Sequence, residues 1–587
     1  MLFRGFFLIS AVCAALTLGG AGVQALEENK PLAPEISTGI SAKKAVAGAK
    51  IMAVTAHPDA TKAAYDILKE GGTAADAAIA AQMVLGLVEP QSSGIGGGGF
   101  TLYYDAQKKH LITLDGRETA PSTAGHHLFM DEDGRPMDFY DASIGGRAVG
   151  TPGLLRMLEK LHDWQGKLPW SDLFSTAIKL AEQGFVVTPR LTEMLKHERG
   201  GFEVDIKAKL YFYPDVVTPL EAGSLKRNPD YAITLREIAQ NGIRSFYEGD
   251  IAKEIVAAVQ GNRHNRGLLS LEDLSSYEVK ERKAICGNYH KYKVCSMGEP
   301  SSGGLTLLMA LGILENFDLA SWGPNNPTSW HVMMEASRLA FADRNQYMAD
   351  SDFVQTPNTL LLQRSYLKER SKKISGYKAL LEVNAGVPPG WNADYRRAAD
   401  ASIKPPGTTH ISIADKYGNI LSMTSSIENA FGSRLMVGGF LLNNQLTDFS
   451  FNPNDENGLP VVNRVEAGKR PRSSMSPTIV FDPSGKPFMV IGSAGGSRII
   501  GYVLQRIVSV IDWGVGIQSS LNMANMVHRG EKVELEKSGI KFAVSMKNIG
   551  HPVLVGDMNS GLTAIHFKNG YAFGAADPRR DGAAMGE

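Results

Sequence analysis

The sequence predicts an α+β fold, on three observations. Apolar residues recur at helical spacing through most of the first two-thirds of the chain. Short β-branched runs separated by turn residues dominate the remainder. Between them lies Gly376 to Gly407, a stretch with Pro388-Pro389-Gly390 and Lys404-Pro405-Pro406-Gly407 and few large apolar residues. It reads as an exposed linker. Helical layers around sheets satisfy this pattern.

Composition bounds the answer further. At 587 residues the chain exceeds one hydrophobic core, so it forms one large composite domain or two to four smaller ones. Hydrophobic residues at 43% and charged residues at 21% fit an ordinary globular protein. Lys+Arg and Asp+Glu balance at 61 each, which argues against a chain built to hold nucleic acid or an anionic membrane. Glycine is in excess, 62 residues against a typical ~7%, and it clusters at Gly96–Gly99, Gly303-Gly304, Gly438-Gly439 and Gly495-Gly496. Such clusters mark places where backbone comes close to something.

The elements follow in order. Met1 to Ala25 carries Arg4, an apolar run from Gly5 to Leu18 and the small-residue ending Val23-Gln24-Ala25. This is the pattern of a cleavable secretory signal, giving a periplasmic or secreted protein. The apolar run is shorter than the ~20 residues a membrane span needs, which disfavours an uncleaved anchor. Two helices are expected at Ala60–Glu70 and Thr73–Val88, broken at Gly71-Gly72. Gly94-Ile95-Gly96-Gly97-Gly98-Gly99 formally matches G-x-G-x-x-G, but it follows a helix and opens the strand Phe100–Tyr104. A dinucleotide fingerprint has the opposite order, so that reading is rejected. Helices are expected at Gly153–Leu161, Leu173–Glu182, Ile251–Val259, Leu305–Glu315 and Ser329–Ala349.

With Cys13 in the signal, Cys286 and Cys295 remain. The eight residues between them can form a hairpin with the thiols facing across it. In an oxidising compartment a disulfide is expected, the alternative being two buried free thiols. After the linker, Thr409–Ala414 and Ile420–Ser426 read as a hairpin, and Thr478–Phe481 with Phe488–Ile491 as a second. Gly492 to Ser497 then leads into an apolar helix, Ile499–Val510.

Chemistry concentrates at Pro405-Pro406-Gly407-Thr408-Thr409-His410. If the Gly407–Thr408 bond is cut, the Thr408 hydroxyl lies beside its own α-amine, whose pKa near ~8 suits it to act as base. Gly407 adds no side chain to obstruct attack on its carbonyl. Taken alone, Thr-Thr at a strand start is unremarkable. The thirteen histidines show no ligand-spaced cluster, and His410 reads as structural.

Several ordered blocks resemble the γ-glutamyltranspeptidase (glutathione hydrolase) family. They are Gly71 to Ala78, Gly96 to Phe100, Asp115 to Pro121, Pro300 to Gly304, Thr408-Thr409-His410, Gly438 to Gln445 with Asp448-Phe449-Ser450, Arg470 to Thr478, and Gly492 to Arg498. The resemblance spans nearly everything after the signal. It implies an N-terminal-nucleophile hydrolase with a four-layer αββα sandwich. One precursor would cut itself into a large subunit, 26–407, ending in the linker 376–407, and a small catalytic subunit, 408–587, which stay together as a heterodimer. No metal or cofactor is implied.

Carried over by position, Thr408 would be the nucleophile that takes the γ-glutamyl group as an ester, and Ser426 would support it. Arg117, with Ser473 and Ser474, would hold the substrate α-carboxylate, a task suited to a guanidinium fork and hydroxyl donors. Gln445 and Asp448 would receive the α-ammonium. Gly495 and Gly496 would offer N–H groups to an oxyanion. Each has a plainer reading: an exposed ion pair for Arg117 between Asp115 and Glu118, a cap or turn for Ser473-Ser474, a bend for the glycines, and turn polarity for Asn443-Asn444-Gln445. The implied substrates are glutathione and related γ-glutamyl donors, with water or an amino acid or peptide as acceptor. Glu428 stands where the family usually has an asparagine near the ammonium, which puts substrate identity in doubt. Ser450–Lys469 resembles a shortened lid and implies an open site. Two alternatives remain: a cephalosporin (glutaryl) acylase of the same architecture, and an unprocessed, inactive periplasmic binding relative.

Overall fold

The computed structural model describes residues 38–392, 394–402 and 407–587, without the side chain of Arg199. The signal pattern at 1–25 and Lys404-Pro405-Pro406 lie outside the described residues.

Alternating apolar residues build two seven-stranded antiparallel sheets. The first runs in the order Ala583–Gly586, Met52–Thr55, Gly407–Ala414, Ile420–Glu428, Gly98–Asp105, His110–Gly116 and Lys280–Glu281. The second runs Val46–Gly48, Tyr571–Ala576, Thr563–Lys568, Pro487–Gly492, Thr478–Phe481, Tyr292–Ser296 and Ile285–Tyr289. Because side chains alternate along a strand, the first sheet feeds two cores. Ala53, Tyr103, Ile411, Ile413, Leu421 and Met423 pack with the helices Pro58–Lys69, Ala74–Val88 and Leu154–Gln165. Met52, Val54, Phe100, Leu102 and Ile420 face the second sheet, whose other side is covered by Gly303–Leu314, Pro327–Tyr347 and Arg498–Ile511. The result is helix, sheet, sheet, helix: the sandwich implied by the resemblance.

Hydroxyls tie the sheets together. Ser412 Oγ donates to Thr563 O at 3.2 Å and Ser422 Oγ to Ile491 O at 3.3 Å. His410 is fully buried there, with Nδ1 2.7 Å from Thr424 Oγ1. Its ring lies where a Cβ on Gly492 would sit, 2.2 Å away. Burial alone pushes its pKa down to about 3.

Most element boundaries match expectation within one or two residues. The second helix starts at Ala74, because Thr73 is its N-cap: Thr73 Oγ1 accepts from Asp76 N, and the Asp76 carboxylate accepts from Thr73 N at 2.8 Å. Cys286 and Cys295 sit directly opposite each other in the hairpin Ile285–Tyr289/Tyr292–Ser296 and are bonded as a disulfide.

The described residues of 376–407 do not form the free linker that composition suggests. Tyr377, Leu381 and Val387 are exposed, but Ala379, Ala398 and Asp400 are buried. Ala379 N donates to Ile549 O at 2.9 Å and Gly386 N to Asp343 Oδ1 at 2.7 Å. Asp400 pairs with Arg472 at 3.1 Å. Low hydrophobicity hides these attachments because backbone amides and one carboxylate make them.

Candidate active site

Thr408 is the second residue of the interior strand Gly407–Ala414, and the pairing with Ile420–Glu428 slips there by a bulge: Gly407 faces Glu428, while Thr409 faces Ser425. The slip brings Ser426 to the Gly407–Thr408 bond. Ser426 Oγ donates to Gly407 O at 2.6 Å, and Thr408 Oγ1 donates to the same oxygen at 2.7 Å. The Glu428 amide donates to Ser426 Oγ at 2.8 Å, so N–H, hydroxyl and carbonyl form a chain whose members polarise one another. Glu428 holds a positive φ of 78°, uncommon for a side chain other than glycine or asparagine, and is buried. Arg580 Nη1 holds Thr408 O at 3.1 Å from the other side.

The run Gly96–Gly99 acquires its reason at this point. A Cβ on Gly97 would stand 2.2 Å from Ser426 O, so only glycine lets that loop pass beneath the serine.

Arg117 follows directly on the strand His110–Gly116 and is 1% exposed, which overturns the exposed-ion-pair reading. Its Nη2 lies 2.5 Å from Asp448 Oδ2, its Nη1 3.7 Å from Glu118 Oε2, and its Nε donates to Pro471 O at 3.2 Å. Glu118 is wholly buried, and desolvation pushes its carboxyl up to about 8 against the opposing pull of Arg117. Asp448 closes the short turn Gln445–Asp448, and Gln445 Nε2 donates to its Oδ2 at 2.9 Å. Ser473 and Ser474 are hooked to the Pro300–Gly304 block: Ser302 donates to Ser473 O through N at 2.9 Å and through Oγ at 2.7 Å. Gly495 and Gly496 lie between the strand Pro487–Gly492 and the helix Arg498–Ile511, at φ 126° and 57°. Among the described residues neither of their N–H groups is used by a hydrogen bond.

These parts converge on one small cleft of about 50 Å³. Thr408, Ser426, Arg117, Asp448, Ser473, Ser474 and Gly496 all line it. Glu428, Gln445 and Gly495 do not. Glu428 and Gln445 instead act on Ser426 and Asp448 from behind. The segment Ser450–Lys469 contributes nothing to the lining; it folds back on itself through the bridges Ser450–Arg464 and Asn454–Pro460.

Sequence reasoning missed Arg344, Arg472, Ser402 and Ser497, which share the cleft. Arg472 stands inside a quoted block and was available from it; Arg344 sits mid-helix with no local signal. It also missed a cluster: among the described residues His331, Glu335 and His551 offer ligand atoms within 4.8 Å of one another, close enough to hold a metal ion. His331 and Glu335 are one helical turn apart, but His551 lies 220 positions away, beyond any spacing rule. These groups already engage one another and their surroundings, with His331 Nδ1 2.7 Å from His551 Nε2 and Glu335 Oε1 2.9 Å from Arg338.

The family model described as Gamma-glutamyltranspeptidase matches residues 60–587. The chain belongs to the γ-glutamyltranspeptidase family. It is 36% identical over 550 residues to the glutathione hydrolase proenzyme of Bacillus subtilis strain 168, covering 91% of each chain. With the glutathione hydrolase proenzyme of Escherichia coli K12 it shares 35% over 588 residues, covering 98% of each. Among solved structures, the cephalosporin acylase from Bacillus halodurans matches with a TM-score of 0.81 at 26% identity, over 95% of this chain and 99% of that one. Membership of the γ-glutamyltranspeptidase family accounts for the sandwich and for the ordered blocks of resemblance along the chain.

Proposed function

We propose that this chain is a self-processing γ-glutamyltransferase and glutathione hydrolase working through Thr408. The observation that carries the reading is the Gly407 carbonyl, which receives both the Thr408 and the Ser426 hydroxyls. In maturation, Thr408 Oγ attacks the Gly407 carbonyl carbon, the Gly407–Thr408 C–N bond breaks, and the acyl group moves to oxygen. Water then hydrolyses that ester, releasing the Gly407 carboxylate and the free Thr408 α-amine. Ser426 supports the developing negative charge on the Gly407 oxygen.

In turnover, the α-amine takes the Thr408 hydroxyl proton as Oγ attacks the donor's γ-carbonyl, then passes it to the departing amine. Water or an amine resolves the ester. Arg117, Ser473 and Ser474 hold the α-carboxylate, Asp448 the α-ammonium, and the N–H groups of Gly495 and Gly496 the oxyanion. Glutathione and amino acids or short peptides are the donor and acceptors this reading names. The signal pattern of Met1–Ala25 supports export, and no helix among the described residues is long and apolar enough to cross a membrane. The two pieces are expected to remain one heterodimer, since each sheet takes strands from both sides of the cut.

The acylase likeness favours glutaryl amides as a second reading. Rates of release from glutathione, a γ-glutamyl anilide and a glutaryl anilide separate the two. Faster release from both γ-glutamyl compounds is expected; faster release from the glutaryl anilide would transfer the chain to the acylase reading.

A further inference from the structure

Arg344 has no part in the roles assigned so far, yet it reaches the cleft from the helix Pro327–Tyr347 and is 5% exposed. Its neighbours there each have a carboxylate: Arg117 has Asp448, and Arg472 has Asp400. Arg344 has none within ion-pair distance among the described residues. Its three nitrogens go to neutral oxygens: Nε to Ser302 Oγ at 2.8 Å, Nη1 to Asn345 Oδ1 at 2.9 Å and Nη2 to Ser474 Oγ at 2.9 Å. Burial, followed by the nearby Arg472, lowers its pKa. Asp400 and Asp448 act on it only from beyond contact, and a buried cation with no carboxylate touching it is costly until an anion arrives.

The hydroxyl directions show what it organises. Ser474 Oγ accepts from Arg344, so its own O–H remains to be given, and it donates no hydrogen bond among the described residues. Ser302 Oγ accepts from Arg344 and donates onward to Ser473 O at 2.7 Å. Ser473 Oγ in turn accepts from Met475 N at 3.1 Å, so its O–H is also left to give. One guanidinium therefore fixes both serines, Ser474 by its hydroxyl and Ser473 through Ser302.

We propose that Arg344 is a positioning and specificity residue for the donor's α-carboxylate: it turns the Ser474 O–H toward the cleft, anchors Ser473 through Ser302, and supplies a positive charge with no carboxylate in contact, which favours an anion. This rests on the functional reading above. A lysine keeps the charge but not the three-way fork.

The test compares wild type, Arg344→Met, Arg344→Lys, Ser474→Ala and the Arg344→Met/Ser474→Ala double variant. Two donors are used: a γ-glutamyl anilide, and the 4-aminobutyryl anilide that lacks only the α-carboxylate. Maturation on a denaturing gel and melting temperature are recorded for each. Arg344→Met is expected to raise KM for the γ-glutamyl donor about tenfold or more, the scale of one lost charge-assisted contact, with kcat changed far less. Its effect on the 4-aminobutyryl donor should be small, Arg344→Lys should not restore KM, and the double variant should be no worse than the poorer single one. If Arg344→Met does not fold, Ser302→Ala removes only the relay and should raise the same KM selectively. Equal losses on both donors, full additivity or restoration by lysine would overturn the proposal while wild-type turnover kept the functional reading intact. A wild type inactive on both donors would sink that reading, and this proposal with it.

Discussion

At the Gly407–Thr408 bond two hydroxyls, of Thr408 and Ser426, are donated to one carbonyl. Ser426 Oγ accepts from the Glu428 amide and gives its proton to Gly407 O, so it serves as a donor there. Removing such a donor from a developing oxyanion costs about 10²- to 10³-fold. Ser426→Ala is therefore expected to slow the appearance of the two pieces by about 10²-fold without unfolding the chain. A time course on a denaturing gel reads this directly, and maturation at the wild-type rate would remove Ser426 from the mechanism. Gly97 makes a similar point through sterics. A methyl there would press on Ser426 O at 2.2 Å, and overpacking of this kind typically costs ~1–3 kcal/mol. Gly97→Ala should lower the melting temperature and slow maturation together; an unchanged variant would mean that the loop and strand separate freely.

At the scale of elements, the strands and helices were legible because their signals are local. Period-two alternation in Thr409–Ala414 and helical spacing in Ser329–Ala349 need no partner to be read. The close approaches were legible only in part. A glycine run announces that backbone comes near something, and the structure identifies that something as Ser426 O for Gly97. The bulge at Gly407/Thr409 left no trace in composition, although it is what aligns Ser426 with the Gly407–Thr408 bond. Burial of Arg117 was equally invisible, since flanking acids predict a surface ion pair and only the Asp448 turn, more than three hundred positions on, converts it to a buried one. The hairpin carrying Cys286 and Cys295 is a firmer case. Closing so short a loop is worth about 2–3 kcal/mol in the chain-entropy account. Cys286→Ser should lower stability by about that amount in denaturant unfolding. A loss near zero would mean the strand pairs Thr478–Phe481 with Tyr292–Ser296 hold the hairpin unaided.

For the whole molecule, the two sheets interleave strands from both sides of Gly407, so neither piece has a complete sandwich alone. Two buried histidines, His410 between the sheets and His551 against His331 and His528, are expected to make stability pH-dependent. The pKa values of His410 and His551 are both lowered to about 3, in each case chiefly by desolvation, with His331 adding to the effect at His551. Unfolded, each would titrate near ~6.5. The unfolded chain thus binds protons that the folded one refuses, so stability is full above about pH 6.5 and falls as pH drops toward 3. His410 alone should cost about 2 kcal/mol at pH 5. Melting temperatures between pH 7 and pH 4.5 should fall, and His410→Gln should flatten the slope; a variant with the wild-type slope would assign the loss to other groups.

The central claim is that one residue both cuts the chain and performs the catalysis. It is tested most directly by determining the intact masses and N-terminal sequences of the wild type and of Thr408→Ala. The wild type is expected as two pieces, the smaller beginning Thr408-Thr409-His410 and ending at Glu587, while Thr408→Ala stays one chain and releases nothing from a γ-glutamyl anilide. A wild type that remains a single chain yet turns over the anilide, or a Thr408→Ala variant that still matures, would contradict it.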